Sequence, residues 1–268
     1  MIKRIINKLG VYKTYPLKVR DTMYKVPVHK GLGFTHFVDS EPWMDQVLEK
    51  LGGPDFRFLD VGVNVGQTLL KWKSLFPDSV YVGFEPNTAC VHYVLDLIEK
   101  NKIVACHLHP YGLSTSESKS KLYLLGKDLG DSSATTIENF RANESRTAID
   151  ILTTPLKLKE PVPFDLIKID VEGAELEVLQ SIFEVDGNPI ITCEILPVYT
   201  ADNKERLERQ NAIWKLLAEH NYSIYRISKQ ANIKLEKISE FGVHGDLALS
   251  DYVFIPNDKA EIIMRKFN

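Results

Sequence analysis

Beyond residue 55 the chain alternates short apolar runs with stretches in which apolar residues recur every three to four positions. The runs at 56–61, 80–84, 103–108, 165–170, 190–195, 222–227 and 252–255 are rich in Val, Ile, Phe and Tyr, and each predicts a β-strand. Between them Leu69, Leu70, Trp72 and Phe76 keep helical spacing up to Pro77, as do Val91, Val94, Leu95 and Ile98. Ala174, Val178, Leu179 and Ile182 mark a third helix, and Leu207, Ile213, Trp214 and Leu217 a longer fourth. Such alternation predicts a parallel sheet covered by helices on both faces. Ligands then sit outside the carboxyl ends of the strands.

Two regions break the rhythm. Residues 1–55 form an N-terminal extension with turn signals at Pro27, Gly31-Leu32-Gly33 and Gly52-Gly53-Pro54, leaving 56–268 as the main domain. Residues 126–148 are rich in Ser, Thr, Asn and Asp and read as a long polar loop, a length usually tied to function or mobility. At the start, Ile2, Ile5, Ile6 and Leu9 share one helical face among Lys3, Arg4 and Lys8. A basic amphipathic helix can lie on an anionic membrane or dock on a partner. Packing on its own domain is the simpler expectation for so short a segment.

Composition narrows the class. With 44% hydrophobic residues the chain can bury a sizeable core, and a net charge of −3 gives no electrostatic case for nucleic acid. Cys90, Cys106 and Cys193 are scattered, which suggests a reducing compartment and hence a cytoplasmic location. No apolar segment is long enough to span a bilayer.

The chemistry concentrates at strand ends. Phe58-Leu59-Asp60-Val61-Gly62-Val63-Asn64-Val65-Gly66-Gln67 is an apolar strand ending in an acid, then small residues, then a helix. Its glycines admit a ligand close to the backbone, and the helix offers unpaired N–H groups. A dinucleotide fingerprint aligned on Gly62 would need glycines where Asn64 and Gln67 stand, which disfavours an NAD-dependent oxidoreductase. Glu85 ends the next strand, where an acid commonly accepts ribose hydroxyls. Leu166-Ile167-Lys168-Ile169-Asp170-Val171-Glu172-Gly173-Ala174-Glu175 gathers three acids where a buried strand meets a helix. Glu172 and Glu175 suit the positive end of that helix. Lys168, a charge inside a buried strand, requires a carboxylate partner.

Together the 58–67 motif, Phe84-Glu85-Pro86-Asn87 and Ile167-Lys168-Ile169-Asp170-Val171-Glu172-Gly173-Ala174-Glu175 resemble the three signatures of the FkbM-type methyltransferases, over residues 56–197. The resemblance implies a Rossmann-like class I methyltransferase fold with a mostly parallel seven-stranded sheet. It also implies S-adenosyl-L-methionine as methyl donor and O-methylation of a hydroxyl, often on a sugar, glycan or polyketide. Asp60, Gly62, Asn64 and Gly66 would hold the amino-acid end of the donor, and Glu85 with Pro86 its ribose. Asp170, Glu194 at the fifth strand's tip, and His109 after the third strand are the candidates to take the acceptor's proton, in that order. His244 is a further base candidate. Ser132 and Ser133 could cover the donor or reach the acceptor. Asp170 and Glu194 could hold a hard cation, but spacing supplies no third ligand, and no metal is expected. A binding module without turnover is the alternative to an enzyme.

Overall fold

A computed structural model describes residues 12–29, 32–38, 41–125, 134–135 and 146–267. The basic segment at residues 2–9, Gly31, Ser132 and Ser133 lie outside them.

The first described residues form a hairpin, β1 (Lys13–Val19) and β2 (Thr22–Val28), paired antiparallel from Lys13↔Val28 to Val19↔Thr22. A 3₁₀ turn (Phe34–Phe37) leads to helix α1 (Pro42–Leu51), whose first residue is Pro, which needs no N–H partner there. Then comes the expected alternation: β3 (Arg57–Val61), α2 (Gln67–Leu75), β4 (Val80–Phe84), α3 (Thr88–Asn101) and β5 (Cys106–His109). Next are β6 (Gly112–Leu113), β7 (Ser118–Leu125), β8 (Arg146–Thr154) and one short turn of helix, α4 (Leu156–Lys159). The chain continues through β9 (Leu166–Ile169), α5 (Glu175–Ile182), β10 (Ile190–Glu194), α6 (Lys204–Glu219), β11 (Tyr222–Ser228), β12 (Lys234–Lys237), β13 (Asp251–Pro256) and α7 (Ala260–Met264).

The main sheet has the order β12-β11-β13-β10-β9-β3-β4-β5. All seven expected strands are present, and β12 adds an eighth at one edge, paired antiparallel to β11. β13 runs antiparallel to both its neighbours, while β10, β9, β3, β4 and β5 pair in parallel. The third strand begins later than its apolar run suggests, because Ile103–Ala105 turn out of α3 and only Cys106 meets Tyr81.

Side chains alternate across β3. Phe58 and Asp60 face one layer, Leu59 and Val61 the other. The first layer holds α1, α2 and α3, with Phe58 stacked on Trp72 at 4.3 Å and the Trp72 indole donating to Ser79 Oγ at 2.6 Å. The second holds α5 and α6. Tyr24, Val26, Trp43, Met44, Val47 and Leu48 are buried in the same layer as Phe58 and Trp72, so the N-terminal extension shares a core with the sheet. Lys73 is buried, with no carboxylate in ion-pair contact among the described residues. Its ammonium donates to the carbonyls of Pro77, Ser79, Val104 and Ala105 at 3.2, 2.6, 2.8 and 3.3 Å.

Of the polar stretch 126–148 the structure describes only residues 134–135 and 146–148, so the expectation of one long loop lies mostly outside the described residues. β7 and β8 flank the stretch as an antiparallel pair, from Ser118↔Thr153 to Leu125↔Arg146, and β6 pairs with β8 to complete a small three-stranded sheet. Leu122, Leu124 and Ile151 pack its inner face, while Lys119, Lys121, Asp150 and Leu152 are exposed.

Candidate functional site

A cavity of about 620 Å³ opens at the carboxyl ends of β3, β4, β9 and β10. That is ample for a cofactor-sized ligand. Gly62, Asn64, Glu85, Pro86, Asp170 and Glu194 all line it. Asp60, Gly66 and His109 do not.

The loop after β3 has the geometry its sequence demands. Gly62 has φ +88°, and a Cβ there would stand 1.9 Å from the Asp170 carbonyl oxygen, so glycine is required twice over. Asn64 also takes a positive φ of 49°, and Gly66, at φ 80°, caps the start of α2. Gly66 therefore shapes the loop rather than touching the cavity.

Glu85 is buried at the mouth of β4. One carboxylate oxygen accepts from the Asn64 backbone N–H at 2.7 Å, the other from Asn87 N–H at 2.8 Å. Burial pushes its pKa up to about 7, against the pull of those two N–H groups. Each oxygen keeps a lone pair for a ligand hydroxyl. Tyr111, Gly112 and Leu113 continue this wall, and Ser118, Ser120 and Thr153 of the small sheet extend it.

Asp60 corrects an expectation of ligand contact. It is fully buried and faces the α1–α3 layer, where Tyr81 on the neighbouring strand donates to Oδ2 at 2.6 Å. Its Oδ1 has no hydrogen-bond partner but faces the Lys168 ammonium at 3.4 Å, because Asp60 and Lys168 are register partners on β3 and β9. Lys168 also reaches Asp170 Oδ2 at 3.2 Å and the Gly62 carbonyl at 3.2 Å. The carboxylate partner required of Lys168 is thus two carboxylates. Burial alone would lower the lysine's pKa, but Asp170, Asp60 and Glu41 outweigh it, and the ammonium stays charged at the cavity wall.

At the far end, Asp170, Glu172 and Glu194 share the wall with Glu41, which precedes α1. Glu194 is pushed up to about 9 by burial and then by Asp170, Asp251, Glu172 and Glu41. Asp251, opposite Glu194 on β13, pairs with Lys229, and burial raises it to about 6. Glu175 caps its own turn by accepting from Gly173 N–H at 2.6 Å.

His109 is removed from the catalytic set. It stacks on Phe84 at 4.6 Å and its Nε2 meets Glu160 Oε1 at 2.9 Å, with Arg57 on the other oxygen of Glu160 at 3.0 Å. That ion-pair group stands outside the cavity wall. His244 is also absent from the wall; its backbone N–H donates to the Val198 carbonyl. Conversely, Thr35, Val38 and Glu41 line the cavity although no motif marks them.

The strand order and a cavity at the carboxyl ends of the central strands define a class I methyltransferase architecture. A family model for the methyltransferase FkbM domain matches residues 60–224, more than half of the chain, and the chain belongs to that family. Methyltransferase 1 of Beauveria bassiana (strain ARSEF 2860) is 25% identical over 168 residues, covering 54% of this chain and 66% of that protein. The alignment thus spans just under two thirds of that relative. Among solved structures, methyltransferase FkbM from Methylobacillus flagellatus KT is 13% identical, covering 75% of this chain and 44% of its own at a TM-score of 0.44. An O-methyltransferase from Bacillus cereus, solved with S-adenosylhomocysteine, is 10% identical over 81% of each chain at a TM-score of 0.47.

Proposed function

We propose that this member of the FkbM methyltransferase family transfers a methyl group from S-adenosylmethionine to a hydroxyl oxygen of a sugar, glycan or similar polyhydroxylated small molecule. The observation that carries the reading is the pair Asp170 and Glu194, at the tips of adjacent strands in the same cavity as Gly62 and Glu85. Glu85 would accept from the donor's ribose hydroxyls, with Pro86 beside it and Tyr111 and Gly112 along the base. Gly62 and Asn64 would face the donor's amino-acid end. The bound donor supplies an electrophilic methyl on a sulfonium that leaves with its electron pair.

The chain's own residues then align and deprotonate the acceptor. An acceptor oxygen held between Asp170 and Glu194 gives its proton to a carboxylate as the new C–O bond forms. Asp170, held by Lys168, is assigned as the base, while burial and the neighbouring acids push the Glu194 carboxyl up to about 9 and favour its protonated form as a hydrogen-bond donor to the acceptor. Lys168 fixes Asp170 from behind through the 3.2 Å contact. The acid-rich wall and the net charge of −3 favour a small polyol over nucleic acid.

Transfer of labelled methyl from S-adenosylmethionine to a panel of mono- and oligosaccharides tests this reading. Methyl should appear on a sugar oxygen, and Asp170→Asn should slow transfer by about 100-fold or more. Transfer confined to amines, protein or nucleic acid would overturn it.

A further inference from the structure

The N-terminal segment crosses the donor loop and is tied to it at three points. His36, in the 3₁₀ turn, is buried, and its Nε2 lies 2.9 Å from the Val65 carbonyl in the middle of the Asn64-Val65-Gly66 loop. A carbonyl only accepts, so Nε2 carries the hydrogen and the imidazole is the donor. Gln67, the first residue of α2, donates back to the Thr35 carbonyl at 3.2 Å, and Lys71 one turn later donates to the Glu41 carbonyl. The imidazole stacks on Tyr93 of α3, at 6.0 Å between ring centres and 24° between planes, and Tyr93 in turn donates to the Pro27 carbonyl at 2.8 Å. Gly33 completes the fit: a Cβ there would stand 2.1 Å from the Pro27 carbonyl and 2.4 Å from the Tyr93 hydroxyl.

We propose that His36 is a positioning residue for the donor: through Val65 it holds the loop after β3 in the shape that receives the amino-acid end of S-adenosylmethionine. Val65 is buried, and its neighbour Asn64 lines the cavity with a strained positive φ while its N–H orients Glu85. A loop in that conformation needs outside support, and the imidazole gives it from a segment outside the family match. Thr35 and Val38, on either side of His36, complete the wall.

The inference rests on the donor placement proposed above. Calorimetry with S-adenosylhomocysteine and with 5′-methylthioadenosine, which lacks the amino-acid end, separates the two. Wild type should bind both. His36→Phe keeps a ring against Tyr93 but loses the donor, so S-adenosylhomocysteine should weaken by about ten-fold, the size of one buried hydrogen bond, while methylthioadenosine binding holds. His36→Gln places an amide N–H where Nε2 stood and should keep the wild-type ratio. Equal weakening of both ligands in His36→Phe, or no weakening, overturns the positioning role. So does loss of the ratio in His36→Gln, which decides the matter even if the Phe variant does not fold. A wild type that binds methylthioadenosine as tightly as S-adenosylhomocysteine would instead overturn the donor placement.

Discussion

Glu85 shows how much one side chain can be asked to do. Its two oxygens fix the backbone of Asn64 and Asn87, so it shapes the donor loop before any ligand arrives. Burial holds its pKa near 7. Above that value it accepts hydrogen bonds from ribose hydroxyls with its full charge. As pH falls through about 7 it gains a proton and loses an accepting site. The affinity for S-adenosylhomocysteine should therefore rise several-fold between pH 6 and pH 8, a step that titration calorimetry across this range resolves. Glu85→Gln should bind more weakly, by about ten-fold, and show a flattened profile. A step of equal size in the Gln variant would assign the titration to another group. Asp60, which reads identically as an acid at a strand end, has a different task. One oxygen takes the Tyr81 hydroxyl, the other faces Lys168, and Asp60 does not line the cavity, so sequence position alone did not separate the ligand-facing acid from the buried one.

Among the elements, the central strands were legible and the additions to them were not. β3, β4, β9 and β10 are buried on both faces, so they read as near-continuous apolar runs with sharp ends. β7 and β8 lie at the surface with one face wet. Ser118-Lys119-Ser120-Lys121 and Arg146-Thr147 dilute their apolar positions below what an alternation test detects. The β1–β2 hairpin was hidden in the same way, with only β2 contributing a buried face. Glu41 and His36 could not have been found from spacing, since what makes them relevant is proximity to residues distant in the chain, Val65 for His36 and Lys168 and Asp170 for Glu41. The β3–β9 pair carries its own test. Lys168 stands between Asp60 and Asp170, and Lys168→Met would leave a fully buried carboxylate facing a second one. A loss of about 3–5 kcal/mol in urea unfolding is expected, and Lys168→Met combined with Asp60→Asn should recover part of it. A single variant of unchanged stability would show that the lysine is dispensable to the fold.

The molecule as a whole balances titrations of opposite sign. Burial, opposed by the Val65 hydrogen bond, lowers His36 from 6.5 to about 4. Its contribution to stability is full above 6.5 and lost as pH falls towards 4. Glu85 and Glu175, raised to about 7, and Asp251, raised to about 6, run the other way, burial being the first cause in each. Folded, they keep protons that the unfolded chain releases, so stability declines as pH rises from about 4.5 to 7. Glu194, raised to about 9 chiefly by burial, acts in the same direction and extends the decline above pH 7, so these four acids outweigh one histidine. The thermal midpoint should be higher at pH 5.5 than at pH 8 in a fluorescence melt, and a midpoint that rises with pH would show that paired surface carboxylates dominate instead. The Lys73 contact answers to pH, since burial lowers the lysine's pKa, but not to redox conditions. The Lys73 ammonium ties the turn after α2 to the turn after α3 through four carbonyls, the work that a cross-link would do elsewhere. A disulfide closing the same turns would open in a reducing compartment. An ammonium among carbonyl dipoles has no redox state to lose, so the base of this fold is fastened equally well under oxidising and reducing conditions, while Cys90, Cys106 and Cys193 remain free thiols.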